Sequence, residues 1–296
     1  MQVCVVHWRF SKNSTINGRY CHVQESVQVL LSSSRLNLFN DILFSVRSLY
    51  RLQITLLVSL SIAPLAHNNE DYIIGSDTWC PYTCEAGKDF NGYSVDLIAA
   101  ALALSQSNSS YVNAPFSRVV ANIESGYWHI LPATDMSITP NLLITSEPVA
   151  ETSYVFVTRT DSDWQYDSNT GLKDIRLGIV LGYGYGPQTT KYIETNPEQI
   201  VALSTKFPQR SLLLMLMAHR VDAILEDKRV VEYWAGQLGV QDELRIAGKE
   251  RLLNLMVGIK HQPGAEALIE KIDQGLRILK SHPKLEELNT KYGFNE

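Results

Sequence analysis

The 296-residue sequence lacks the residue patterns of several common chemistries. It has four cysteines and no C-x2-C pair. Its histidines from residue 67 onward, His67, His129, His219, His261 and His282, show no i, i+3 or i, i+4 pairing, so no metal site is expected. There is no G-x-S-x-G turn, and no cysteine has a recognisable histidine partner, which leaves nucleophilic catalysis without a candidate. The glycine-rich LGYGYGP has the spacing G-x-G-x-G but not the second half of a dinucleotide fingerprint, and no acid ends the strand that follows. No nucleotide cofactor is expected, and a tight strand-to-helix turn that offers free amides remains. No repeat of fixed period runs through the chain, and past residue 66 there is neither a low-complexity tract nor an apolar run of bilayer-spanning length.

Basic charge is scarce in the body of the chain. The net charge of −5 divides unevenly: residues 1–66 carry six Lys/Arg against two Asp/Glu, and the remainder carries 20 against 29. An acidic body argues against a nucleic-acid partner. The basic front end has its own explanation. Arg47 and Arg51 precede LQITLLVSLSIAPLA, an apolar run of signal-peptide length that is too short to span a bilayer. Residues 47–66 are therefore expected to be a secretory signal cut after Ala66, with a buried apolar segment or a retained anchor as the other reading. Residues 1–46 show no sustained periodicity and are expected to be an N-terminal extension outside the fold.

In the body, apolar strands alternate with amphipathic helices. The strand ending at Gly75 leads through a polar, aromatic loop to a helix opening near Ser94; a strand at Tyr111–Val112, a helix from Phe116 to Gly126 and the strand WHILPA follow. Connections too long for hairpins argue a parallel sheet with crossover helices. After the β-rich TSYVFVTRT the alternation restarts with RLGIV, a helix from Pro187, IVALS, SLLLMLMAH, VDAILED, RVVEYWAGQL and LRIA. The extended LLNLMVGIK and two closing helices complete the chain. A second α/β unit is thus inserted between two extended passages that read as the strands of a hinge.

Ligands of open α/β sheets collect at the carboxyl ends of strands. Asp77, Asp135 and Asp227 each follow such an end, with Trp79, Tyr82 and Phe116 near the first two and Tyr183 and Tyr185 in the second unit. Acids beside aromatic faces suit an amine or another cation, although each acid alone reads equally well as a helix cap. Cys80 and Cys84 read as a local disulfide shaping the loop beside Trp79, with two free thiols as the other reading.

Six motifs in combination resemble the bacterial extracellular solute-binding proteins of family 3. They are GSDTWCPY, NGYSVDLIAA, SGYWHILPATDMSIT, RLGIVLGYGYGP, HRVDAILED and HPKLEELNTKYGF, spread from Asp71 to Phe294. The resemblance implies an α/β, two-lobe type II periplasmic binding protein. Each lobe would be a mostly parallel sheet with flanking helices, lobe 1 from residues 67–157 and 257–296 and lobe 2 from 158–256, joined by two hinge strands. It implies Trp79 and Phe116 as aromatic walls, Asp77, Thr134, Asp135 and Ser137 as first-lobe contacts, and Gly182 to Gly184 as the second-lobe loop. Asp227 would hold an amino group. One departure stands out: the arginine that clamps an α-carboxylate in the family's amino-acid binders is missing where Thr139 is followed by Pro140, Asn141 and Leu142. Arg118 could replace it or could be a solvated helix arginine, and the solvated reading is favoured. The expected function is an exported, monomeric, periplasmic receptor. It would pass a small polar, amine-bearing solute to an inner-membrane ABC permease, with no cofactor and no catalysis. A dehydratase resembling cyclohexadienyl dehydratases on the same scaffold is the alternative.

Overall fold

Residues 71–136, 138–167 and 171–295 are described by the computed structural model. The inferred extension (1–46), the inferred signal (47–66) and Ser137 lie outside the described residues. The first half of the fold runs β1 (Asp71–Ser76), α1 (Tyr93–Ala103), β2 (Asn108–Asn113), α2 (Phe116–Ser125), β3 (Leu131–Thr134), β4 (Leu142–Ile144) and β5 (Ala150–Arg159). The second half runs β6 (Leu177–Val180), α3 (Pro187–Thr195), β7 (Ile200–Leu203), α4 (Pro208–Met217), β8 (Ala223–Asp227) and α5 (Lys228–Leu238). The chain returns along β9 (Leu244–Lys260) to α6 (Ala265–Leu279) and α7 (Pro283–Tyr292).

Local chemistry explains the element ends. Helices α3 and α4 open with Pro187 and Pro208, whose missing N–H groups fall where a helix has no internal partner anyway. Helix α2 stops at Gly126, which takes the left-handed conformation at φ 81°. Its apolar face, Val119 and Ile123, packs on Trp128, Leu131 and Leu142. Helix α6 buries Leu268, Ile272, Leu276 and Leu279 at helical spacing, each contributing about 1.5–3 kcal/mol of transfer free energy. It crosses α1 so closely at Gly275 that a Cβ there would sit 2.6 Å from the Ala101 carbonyl oxygen.

The sheets are mixed rather than mostly parallel. Strands β1 and β2 pair in parallel. A larger sheet has the order β3-β9-β5-β8-β6-β7, with β4 also on β9, and only the pairs of β6 with β7 and β8 are parallel. The cause is the return path, because β5 and β9 run antiparallel over ten paired positions and impose that direction on β3, β4 and β8. The stretches LRIA and LLNLMVGIK, which read as separate strands, are one 17-residue strand. The polar run Lys249–Glu250–Arg251 interrupts the apolar pattern but not the backbone pairing, which absorbs two register shifts against β5. Strand β4 is three residues long, too short for a periodicity signal. In β5, Tyr154 to Val157 are all buried, as expected of a strand covered on both faces.

Candidate functional site

Four strand ends converge between the two halves: those of β1 and β3 from the first, and those of β6 and β8 from the second. Between them lies a small cavity walled by Asp77, Trp79, Phe116, Thr134, Tyr154 and Tyr183, with Asp135 and Ile138 at its edge. Its free volume of about 20 Å³ admits about one water. The walls are largely aromatic. Trp79 stacks on Tyr154 at 6.4 Å, and Tyr183 presents its ring edgewise to Trp79 at 6.2 Å and to Phe116 at 5.2 Å.

Hydrogen bonds cross the cleft at every level. Tyr183 Oη donates to Asp77 Oδ2 at 2.5 Å and accepts from Gln209 Nε2 at 2.9 Å. Trp79 Nε1 donates to Glu226 Oε1 at 2.9 Å, and the same oxygen accepts from the Asp227 backbone N–H at 2.8 Å. Arg251, on β9, reaches both sides: its guanidinium donates to the Gly184 carbonyl at 2.9 Å and lies 3.3 Å from Asp135 Oδ2. Gly184 is required where it stands, because any Cβ would collide with Ile138 across the cleft. At the rim, Lys206 and Glu85 form an exposed ion pair at 2.6 Å.

The acids here are unusually buried. Burial pushes the Asp77 carboxyl up to about 6, against the opposing pull of the Tyr183 hydroxyl. Burial pushes Glu226 further, to about 8, with Trp79 and the Asp227 amide lowering it in part and the neighbouring carboxylates of Asp227 and Asp77 raising it. The Tyr154 and Tyr183 phenols are held well above their ordinary range by burial and by these acids, so both are neutral donors.

Of the residues expected at the site, the structure gathers Asp77, Trp79, Phe116, Thr134, Asp135 and Tyr183 around the cavity. Gly182 and Gly184 shape the loop that carries Tyr183, and Gly182 adopts φ +87°. Tyr185 is buried against Tyr154, with its hydroxyl tied to the Val180 backbone. Tyr82 lies behind Trp79, stacked on it at 4.5 Å, and does not line the cavity. Arg118 is exposed on α2 and does not line it either. Asp227 is taken up internally: one oxygen caps α5 through the Val230 N–H at 3.0 Å, and the other accepts from Thr152, Ser153 N and Tyr82. Cys80 and Cys84 are joined in a disulfide that closes the loop behind Trp79. Among the residues at or beside the cavity that escaped the sequence reading are Tyr154, Glu226, Gln209 and Arg251. For Glu226 there was a signal, namely an acid directly after the apolar run Ala223–Ile224–Leu225 and ahead of the terminal Asp227, where a buried charge demands a reason. Among the described residues no cluster of His, Cys, Asp or Glu could hold a metal ion, and no helix is long and apolar enough to cross a membrane.

The fold recurs in solved structures. A mutant of ArgBP from T. maritima superposes with a TM-score of 0.63 at 17% identity, covering 76% of this chain and 96% of that one. A substrate-binding protein of an ABC uptake transporter from Streptococcus pneumoniae with bound histidine gives 0.64 at 18%, covering 77% and 94%. A histidine kinase sensor domain similar to periplasmic binding proteins gives 0.64 at 15%, covering 76% and 97%. At such identities the likeness shows the fold, which is that of type II periplasmic binding proteins. A search of curated protein sequences finds no match. The model of the bacterial extracellular solute-binding proteins, family 3, matches residues 72–296, and with these motifs on this fold the chain belongs to that family.

Proposed function

We propose that the protein is an exported receptor that captures a small amine-bearing solute between two lobes and delivers it to an inner-membrane ABC permease. In this reading the lobes comprise residues 67–157 with 257–296 and residues 158–256. The receptor works as a monomer in the periplasm and catalyses no reaction. One observation carries the proposal: a buried carboxyl group, Asp77, lines an aromatic-walled cavity between the halves, and a second, Glu226, backs its Trp79 wall. Arg251, beside the cavity, is held by Asp135 and the Gly184 carbonyl. Acids beside aromatic faces favour a cation through charge-assisted hydrogen bonds and cation–π attraction. The arrangement offers no strong reason to bind an anion.

Mass spectrometry of solute that co-purifies with the exported protein, followed by titration calorimetry of the stripped protein, tests the reading. An amine-bearing solute bound with one-to-one stoichiometry is the expected result. A retained anion or sugar would overturn it.

A further inference from the structure

Two buried polar atoms just behind the cavity walls have no hydrogen-bond partner: Glu226 Oε2 and Gln209 Oε1. Both residues are buried, at 1% and 2% exposure. Each is fixed to a wall of the cavity through its other polar atom, Glu226 to Trp79 and Gln209 to Tyr183. Two neighbouring donors are already used, since the Trp79 indole bonds Glu226 and the Tyr183 hydroxyl bonds Asp77. A buried polar atom without a partner is costly, and once Glu226 has given up its proton, Oε2 joins Gln209 Oε1 as an acceptor that a donor group of a ligand would satisfy. Asp227, by contrast, is saturated by four internal bonds.

We propose that Glu226, and not Asp227, is the acid that receives the ligand's cation. It does so together with Asp77 and Gln209, and the ligand group is an N–H-bearing ammonium or guanidinium whose recognition needs no α-carboxylate. The inference rests on the proposed capture of an amine-bearing solute and names its anchor. A quaternary ammonium would satisfy the aromatic walls but would leave Glu226 Oε2 and Gln209 Oε1 without donors. With a cavity of about 20 Å³, entry requires Tyr183 to give up its place on Asp77. The groups that face Glu226 are Asp77 and Trp79 from the first half, Tyr154 on β5, Tyr183 and Tyr185 from the loop after β6, and Asp227 beside it. They supply negative charge and neutral phenols. Burial holds Glu226 protonated near neutrality, so seating a cation beside it expels a proton.

The test is titration calorimetry of the full chain with three pairs of probes that differ by one carboxylate: L-arginine and agmatine, L-lysine and cadaverine, L-histidine and histamine. In at least one pair the decarboxylated member is expected to bind the wild type as tightly as the amino acid. Glu226→Gln should weaken that binding about 10- to 100-fold while retaining the native circular dichroism spectrum. Binding enthalpies in two buffers of different ionisation heat should show about one proton released at pH 7, a measurement on the wild type that needs no variant. Amine binding that is unchanged in Glu226→Gln, or that occurs without proton release, overturns the assignment of Glu226 and leaves the amine receptor standing. Amino acids that bind while every decarboxylated partner fails overturn the dispensable carboxylate. Failure of all six probes overturns the receptor reading and this inference together.

Discussion

Tyr183 Oη lies 2.5 Å from Asp77 Oδ2, and this one bond joins the loop after β6 to the loop after β1 across the cleft. The phenol lies edgewise to Trp79 and Phe116, supported from behind by Gln209, and in the proposed receptor it stands in for a solute's cationic group. A neutral donor occupies the acid, and a charged donor would hold it more strongly.

Removing that competitor should therefore help the ligand. Tyr183→Phe is expected to tighten binding of an amine by about 2- to 10-fold, the value of one neutral hydrogen bond that no longer has to be broken. Titration calorimetry checks it. Weaker binding in the variant would show that the hydroxyl serves the ligand instead of standing in for it.

Stability should fall as the medium becomes alkaline. The Glu226 carboxyl sits at about 8 in the folded chain against 4.5 as its ordinary value, so between these limits the native state holds a proton that the unfolded state has released. Its contribution is fully present below about 4.5 and is lost as pH rises through about 8. Asp77 acts in the same direction up to about 6. Denaturant midpoints at pH 5, 6.5 and 8 should decline, and Glu226→Gln should flatten the upper part of the decline. A wild-type midpoint that rises over this range would contradict the burial of Glu226.

Asp227 should matter more to folding than to binding. Asp227→Ala removes the cap of α5 and leaves the Thr152 hydroxyl and the Ser153 N–H without their acceptor. A loss of about 2–4 kcal/mol is expected from the cap and the orphaned donors together. Asp227→Asn, which keeps an acceptor oxygen, should be milder and should bind an amine within a few-fold of the wild type. Equal damage to affinity from Asp227→Asn and Glu226→Gln would return the anchoring role to Asp227.

The close approach of the second-half loop to Ile138 depends on the missing side chain at Gly184. Gly184→Val should force the second-half loop away from Ile138, seen as a larger radius of gyration in X-ray scattering and as altered Trp79 fluorescence. Adding Ile138→Ala should recover much of the compact form, because the clash is with that side chain. A Gly184→Val protein with wild-type dimensions would remove this contact from the closing surface.

The alternation of strands and helices was legible because each element carries its own period and its own stop, such as Gly126 after α2 or Pro187 at the head of α3. Loops at strand ends were legible for the same reason, and they contain Asp77, Trp79 and Tyr183, with Phe116 at the head of α2. What the sequence concealed depends on which side of a strand faces the partner half. Residues Glu226 and Asp227 are adjacent, and the strand pleat sends one towards Trp79 and the other to Thr152 and the start of α5. No one-dimensional pattern decides between them, and the terminal acid drew the assignment. Tyr154 was hidden in the same way inside a strand that read as core. Arg251 was hidden by its setting in the polar interruption of β9, and it lies far along the chain from Asp135, which it meets.

The pairing of β5 with β9 slips between Tyr154 and Val155. Tyr154 forms part of the cavity wall, and Val155 pairs with Glu226. One of the two irregularities in the long strand pair therefore adjoins the cavity wall. If the halves turn about this point in the proposed receptor, a small displacement at the bottom of the cleft becomes a large one at its mouth, where Lys206 meets Glu85.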